Sequence, residues 1–301
     1  MLIYFFLCVK LRLVIYLKET FKYLKRAFFP LLVVAVVPAL LLGIFTSPFT
    51  FISFLPLYYR SYYGIDFAMV FWMFMYRTSV TRIFPFIITF LGLMIFLSYG
   101  LGLVEKQFKT GKRGLTKPLR AINNSALAIF KTVPFMLVVL LAALFLHAGL
   151  VTLIRHAISG LNYPPLFIDS FLVTIVSIVV FALVLMASIF VGVWAVVIQI
   201  YGYTFKEAFV EAFRAVRKKW FPLFLGLFIP ITVLTMAQLV YTAFLVFEGV
   251  HSGFAWLQGF VSVMINLFIL IYYMAYIPVS VYQLNGLDRR DNKPPYLRGF
   301  R

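Results

Sequence analysis

Apolar residues are concentrated in long stretches that alternate with shorter, polar segments. Six of these stretches approach or exceed the roughly 20 residues that a helix needs to cross a bilayer. This pattern predicts an all-α integral membrane protein with six transmembrane helices. The predicted spans are Phe28–Phe45, Ile83–Val104, Val133–Ile154, Phe171–Ile200, Phe221–Phe247 and Leu257–Leu284.

A basic segment that ends in a proline precedes three of the spans. The segments "ETFKYLKRAFFP" (Glu19–Pro30) and "EAFRAVRKKWFP" (Glu211–Pro222) match in their glutamate, phenylalanine, cations, aromatic pair and proline. The middle copy, "NNSALAIFKTVP" (Asn123–Pro134), keeps the proline but has lost most of the charge. The recurrence predicts three parallel repeats, each a cytoplasmic amphipathic helix followed by a helical hairpin.

The basic segments have the periodicity of surface helices. Before the fifth span, one face is apolar, and Thr204 and Glu207 have the spacing of a capping box. The predicted apolar face consists of Phe209, Ala212, Phe213, Val216 and Trp220. In the first copy, a lysine stripe lies opposite Leu13, Leu17, Phe21 and Leu24. We expect both helices to lie in the headgroup plane and the chain to turn into the membrane at the proline.

Composition and charge indicate the orientation. Hydrophobic residues make up 64% of the chain and charged residues 12%, which excludes a water-soluble globule. Of the 27 Lys and Arg residues, 23 lie in alternate segments, so the positive-inside rule predicts a multi-pass protein of the cell membrane with both termini in the cytoplasm. The predicted organisation is an amphipathic segment (1–27), a six-helix membrane domain (28–284) and a cytoplasmic tail (285–301).

The net charge of +18 favours membrane phospholipids as partners rather than nucleic acid, because the cations line one membrane face. The candidate residues for binding anionic lipid are Lys18, Lys22, Lys25, Arg26, Lys131, Arg214, Arg217, Lys218 and Lys219.

The first outer segment departs from the repeat. Residues 46–82 are dense in aromatic residues and include "FAMVFWMFMY" (Phe67–Tyr76), which is too short to cross a bilayer. The segment is predicted to lie at the outer interface or to enter the membrane as a re-entrant piece. Either an aromatic belt or a docking site for a partner fits its composition.

Motifs for catalysis are absent from the sequence: it contains no phosphate-binding lysine loop, no GxGxxG, no HExxH, no GxSxG and no CxxC. We therefore expect neither an enzyme nor a protein with a cofactor or metal. Three polar residues lie in the outer halves of spans, where they serve either helix packing or a ligand pocket. These residues are His147, Gln238 and Asn266.

Two segments carry a resemblance to a known family. "GLGLVEKQFKTGKRGLTKPLRAINNSALAIF" (Gly100–Phe130) and "YGYTFKEAFVEAFRAVRKKWFPLFLG" (Tyr201–Gly226) resemble poorly characterised six-helix membrane proteins. These proteins are similar to the membrane domain that precedes the catalytic domain of some glycerophosphodiester phosphodiesterases. The resemblance implies a six-helix fold and carries no enzymatic activity, since the phosphodiesterase barrel has no place in this chain.

Two functional hypotheses follow from these features. The first is a non-enzymatic membrane protein that organises or binds lipid, or that serves as an accessory subunit docking an integral-membrane or cytoplasmic partner. The alternative is a transporter or permease subunit for a lipid-like or apolar substrate, with kinked spans as its pathway.

Overall fold

The chain folds into α-helices. The structure, a computed structural model, describes residues 2–45, 83–110, 117–159, 166–247 and 252–284, and these ranges contain no strand. The predicted all-α class is therefore confirmed, while the predicted outer segment 46–82 and tail 285–301 lie outside the described residues. The helices are α1 (Leu2–Phe45), α2 (Ile83–Thr110), α3 (Pro118–Ser159), α4 (Leu166–Tyr201), α5 (Phe205–Phe247) and α6 (Ser252–Leu284).

Four of these helices are long and apolar enough to cross a membrane, judged by length and composition over the described residues. Helices suit that environment because their backbone hydrogen bonds are satisfied within one segment. A shorter apolar stretch, Lys219–Leu234, lies on α5. The four stretches are Lys10–Leu41 on α1, Ser125–Ile154 on α3, Ile178–Tyr201 on α4 and Phe260–Tyr282 on α6.

The last helix forms the centre of the bundle. Helix α6 packs most extensively on α1 and also contacts α2, α4 and α5. Within its apolar stretch 67% of the residues are buried, against 18% for the corresponding stretch of α3. Helix α3 packs mainly on α2 and α4, so much of its apolar surface faces outward.

Small and hydroxyl-bearing residues are the buried residues of α1 before its first proline. On α1 the buried face consists of Tyr16, Thr20, Tyr23 and Ala27, while Phe21 from the predicted apolar stripe is 57% exposed. Large apolar side chains gain nothing from leaving lipid for a protein interior, whereas small residues let helices approach closely. Of the predicted apolar stripe, Leu17 and Leu24 are half-buried against the core and Phe21 is the exposed member.

Helices α2 and α3 meet through a similar close contact. A Cβ atom on Gly102 would lie 2.6 Å from the carbonyl oxygen of Ala121 and 2.8 Å from Ser125 Oγ, so only glycine fits there. Further along α3, Thr132 is fully buried and donates a hydrogen bond to the carbonyl of Ala128 (2.8 Å). At Gly102 the two helices therefore approach each other closely through their backbones.

The three repeat prolines differ in their effect on the backbone. Helix α1 continues through Pro30, and α3 continues through Pro134. In α5 the residue Lys219 has non-helical dihedral angles (φ −140°, ψ 22°), so this helix is kinked three residues before Pro222. The backbone is therefore non-helical shortly before the third of these prolines, while α1 and α3 are helical through theirs. The predicted turn of the chain into the membrane at each proline stays a prediction.

Two tyrosines of α6 hydrogen-bond to the backbone of α5. Tyr272 donates to the carbonyl of Gly226 (2.5 Å), and Tyr276 donates to the carbonyl of Leu223 (2.9 Å). A Cβ atom on Gly226 would lie only 2.2 Å from the Tyr276 hydroxyl oxygen. The glycine therefore leaves the space into which the tyrosines reach.

The Gly226 carbonyl needs this partner because of Pro230. In a regular helix the N–H of residue 230 would donate to the carbonyl of residue 226, but proline has no N–H. Tyr272 replaces the missing donor. A third tyrosine, Tyr273, donates to the carbonyl of Ser188 on α4 (2.7 Å).

Candidate functional site

The basic segment at the start of α5 is fixed at its N-terminus by a reciprocal cap. Thr204 N–H donates to Glu207 Oε2 (3.1 Å), and Glu207 N–H donates to Thr204 Oγ1 (3.5 Å), which confirms the predicted capping box. The hydrogen bonds with the Thr204 side chain and backbone lower the pKa of the Glu207 carboxyl group. Gly202, at φ 62°, makes the preceding turn in a conformation that favours glycine.

An aromatic cluster holds this segment against α4. Trp194 is almost fully buried and donates its indole N–H to the carbonyl of Phe205 (3.1 Å). Its ring centroid lies 4.4 Å from that of Phe205 and 5.1 Å from those of Phe209 and Phe135. Phe190 also packs on Phe209, edge to face at 5.2 Å. These aromatic contacts fix the rotation of the basic segment of α5 about its helix axis.

The inner face of residues 205–218 is made of alanines. Ala208 and Ala212 have no exposed surface, whereas Phe213 is 53% exposed and Trp220, just beyond the kink, is 44% exposed. Only Ala212 of the predicted apolar face is fully buried. Phe209 packs on Trp194 and Val216 packs against the core, so Phe213 and Trp220 are the members of that face that lie outward, beside the cations of the same segment.

The predicted cations on α1 and α3 are exposed. Lys22 forms an exposed ion pair with Glu19 (3.6 Å). Such pairs contribute little to stability, so they leave the cations available to other anions. The exposed cations of this group are Lys18, Lys22, Lys25 and Arg26 on α1 and Lys131 on α3.

On α5, Arg214 and Arg217 are exposed and Lys219 is half-buried at the kink. Arg214 pairs with Glu211 at 2.8 Å. The side chain of Lys218 lies outside the described residues. The guanidinium groups of Arg214 and Arg217 therefore lie on the outward side of residues 205–218 of α5.

Two of the three predicted intramembrane polar residues, His147 and Asn266, lie on helices that share no extensive contact. His147 on α3 is buried, and Asn266 on α6 is buried and donates to Ser262 of its own helix (3.4 Å). Helices α3 and α6 share no extensive contact, and the Gln238 side chain is outside the described residues. Nor do the described residues contain a group of three or more His, Cys, Asp or Glu side chains that would hold a metal ion.

Two buried polar contacts were missed by the sequence reasoning. Tyr23 on α1 donates to Gln107 Oε1 on α2 (2.6 Å), and Gln199 on α4 donates to the Glu105 carboxylate on α2. The predicted span ended at Val104, and helix α2 continues beyond it to Thr110. The sequence contains a signal for this longer helix, because Val104 and Phe108 have helical spacing and extend the apolar face past the first charged residues.

The chain matches no family model, no curated protein and no solved structure in the comparisons made. The resemblance to the membrane domain of glycerophosphodiester phosphodiesterases therefore stays a prediction.

Proposed function

We propose that this protein is a non-enzymatic, multi-pass membrane protein that binds anionic phospholipid at the cytoplasmic face of the cell membrane. One observation carries the proposal: residues 205–218 are anchored through alanines and aromatic rings on one side and present Arg214 and Arg217 beside Phe213 on the other. A helix that places cations next to exposed apolar side chains suits the boundary between headgroups and acyl chains.

The proposed topology has six spans in three parallel repeats with both termini in the cytoplasm. Support comes from the four apolar helices, and from α2 and α5, which would supply the other two spans. Cysteine labelling with a membrane-impermeant thiol reagent tests the orientation, in a Cys8→Ser background. We expect His156→Cys to react in intact cells and Lys206→Cys to react only after permeabilisation. The reverse order of reactivity would contradict the topology.

Lipid analysis tests the proposed function directly. The full-length protein is extracted in a mild detergent, and the lipids that remain bound are identified by mass spectrometry. We expect anionic phospholipids to be enriched over their share of the source membrane, since each cation near an anionic surface contributes about 1 kcal/mol. A bound-lipid composition equal to that of the membrane would contradict the proposal.

A partner-docking role is the second part of the proposal, and the outward apolar surface of α3 favours it. Only 18% of its apolar stretch is buried, and the exposed side chains include Leu127, Val138 and Leu153. In a membrane this surface contacts either acyl chains or another membrane protein. Proteins recovered in the same gentle purification separate these roles: a bound ATPase would favour the permease alternative, and a stoichiometric non-ATPase partner would favour the accessory role.

A further inference from the structure

The outward face of residues 205–218 carries a groove. Val210, Phe213, Arg214 and Arg217 have the spacing i, i+3, i+4 and i+7, so they form one stripe along the helix. This stripe lines an open cavity of about 430 Å³. Because Ala208 and Ala212 are buried against the bundle, the stripe points away from it.

The groove has an apolar half and a basic half. Val210 and Phe213, which are 54% and 53% exposed, lie in its N-terminal half. Arg214 and Arg217 lie in the half that leads to the kink at Lys219. A ligand that fills both halves must have an anionic group next to an apolar one.

The two arginines differ in whether they already form an ion pair with an acidic residue. Arg214 pairs with Glu211 at 2.8 Å, but Arg217 makes no ion pair with any acid in the described part of the chain. Guanidinium groups bind phosphate oxygens through paired N–H donors, which ammonium groups do not provide. Arg217 is therefore the better candidate for the main contact with a phosphate group. Arg214 can make a second contact if it leaves Glu211 and pairs with the phosphate instead.

We propose that this groove binds one anionic phospholipid, with its phosphate between Arg214 and Arg217 and the start of an acyl chain against Phe213 and Val210. The proposal rests on the proposed function and narrows it to one site. The volume lies within the range of small-molecule sites and accommodates a headgroup with its first methylenes rather than a whole lipid. The rest of each chain then lies in the bilayer. A free phosphate ion would leave the apolar half of the groove empty. We therefore favour a phospholipid as the source of the bound phosphate group.

Native mass spectrometry of the full-length protein in mild detergent tests the site. The protein is titrated with phosphatidylglycerol or with phosphatidylcholine of the same acyl chains. We expect one phosphatidylglycerol to bind more tightly than phosphatidylcholine. The double variant Arg214→Gln/Arg217→Gln should weaken phosphatidylglycerol binding about 30-fold, or about five-fold per cation.

Matched variants separate this site from general attraction to the surface. Lys10→Gln/Arg12→Gln removes two exposed cations of α1 that are not among the candidate lipid-binding residues, and it should leave the binding constant unchanged. Glu211→Gln frees Arg214 and should tighten binding about five-fold. Phe213→Ala keeps every charge, and it should weaken binding through loss of the acyl contact.

Three results would overturn the site. Equal weakening by the α1 and α5 double variants would make the attraction diffuse and leave the proposed function standing. Displacement of the lipid by an equal concentration of glycerol 3-phosphate would assign the groove to a soluble phosphate. Equal binding of phosphatidylglycerol and phosphatidylcholine to the unmodified protein would defeat the proposed function as well.

Discussion

Replacing Tyr272 with phenylalanine removes the donor that satisfies a backbone carbonyl deprived of its helical partner. The Tyr272 hydroxyl donates to the Gly226 carbonyl at 2.5 Å, and Pro230 cannot supply the N–H that would otherwise reach it. The carbonyl is buried, so its loss of a partner costs about 1–3 kcal/mol. An ordinary hydrogen bond between membrane helices contributes only about 0.6 kcal/mol on average.

The matched control is Tyr276→Phe. Tyr276 donates to the Leu223 carbonyl at 2.9 Å, but that carbonyl retains the helical N–H of Leu227 as its usual partner. We therefore expect Tyr276→Phe to lower the free energy of unfolding by about 0.6 kcal/mol. Tyr272→Phe should lower it two- to five-fold more, in keeping with the cost of an orphaned carbonyl.

A double-mutant cycle with Pro230→Ala isolates the cause. Alanine restores the N–H that bonds the Gly226 carbonyl, so Tyr272→Phe should cost much less in that background, with a coupling energy of about 1–2 kcal/mol. Tyr276→Phe should cost the same in both backgrounds. The assay is equilibrium unfolding in mixed micelles of mild detergent and dodecyl sulphate, followed by tryptophan fluorescence. Additive effects of Tyr272→Phe and Pro230→Ala would refute the reasoning.

Three further predictions follow, two on the N-terminus of α5 and one on the contact between α4 and α6. Thr204→Ala should destabilise the protein by about 1 kcal/mol through loss of the cap, and Thr204→Ser should restore it, measured by thermal unfolding. The lowered pKa of Glu207 means that its stabilising contribution is present above the pKa of the unfolded state and is lost as pH falls through the folded value. The stability difference between the unmodified protein and Glu207→Ala should therefore shrink on acidification, and a constant difference would contradict this. Gly192→Ala would place a Cβ atom 2.5 Å from the Tyr273 hydroxyl oxygen and should destabilise the protein by about 1–3 kcal/mol. Adding Tyr273→Phe to the Gly192→Ala variant should recover part of the lost stability. If no stability is recovered, this clash is not the cause.

Apolar length was sufficient to predict the helices but not their limits. A run of apolar residues that matches the bilayer has few alternatives to a helix, so the helical class follows from the sequence alone. Helix α2 nevertheless continues through Glu105 to Thr110, because Glu105 and Gln107 find partners on α4 and α1. Those partners are distant in sequence, and no local pattern reveals them.

The site was predicted in part. The capping box of Thr204 and Glu207 was predictable because both groups lie within one turn of chain. Helical spacing also placed Arg214 on the polar face of the segment, and Arg214 is exposed. The contact between Trp194 and Phe205, which fixes the rotation of the helix, joins two helices and had no signal in the periodicity.

Hydrophobicity did not predict which side of each helix packs on the bundle, and the reason is physical. In water the largest apolar side chains are expelled to the interior, but beside lipid they are equally well solvated outside, so packing selects residues that allow close approach. Ala208 and Ala212 face the bundle while Phe213 faces outward, and Tyr23 and Ala27 face it while Phe21 does not. The same selection places Gly226 where Tyr272 reaches the backbone. In the proposed function, the bulky residues left outside, together with the neighbouring arginines, form the surface that contacts lipid.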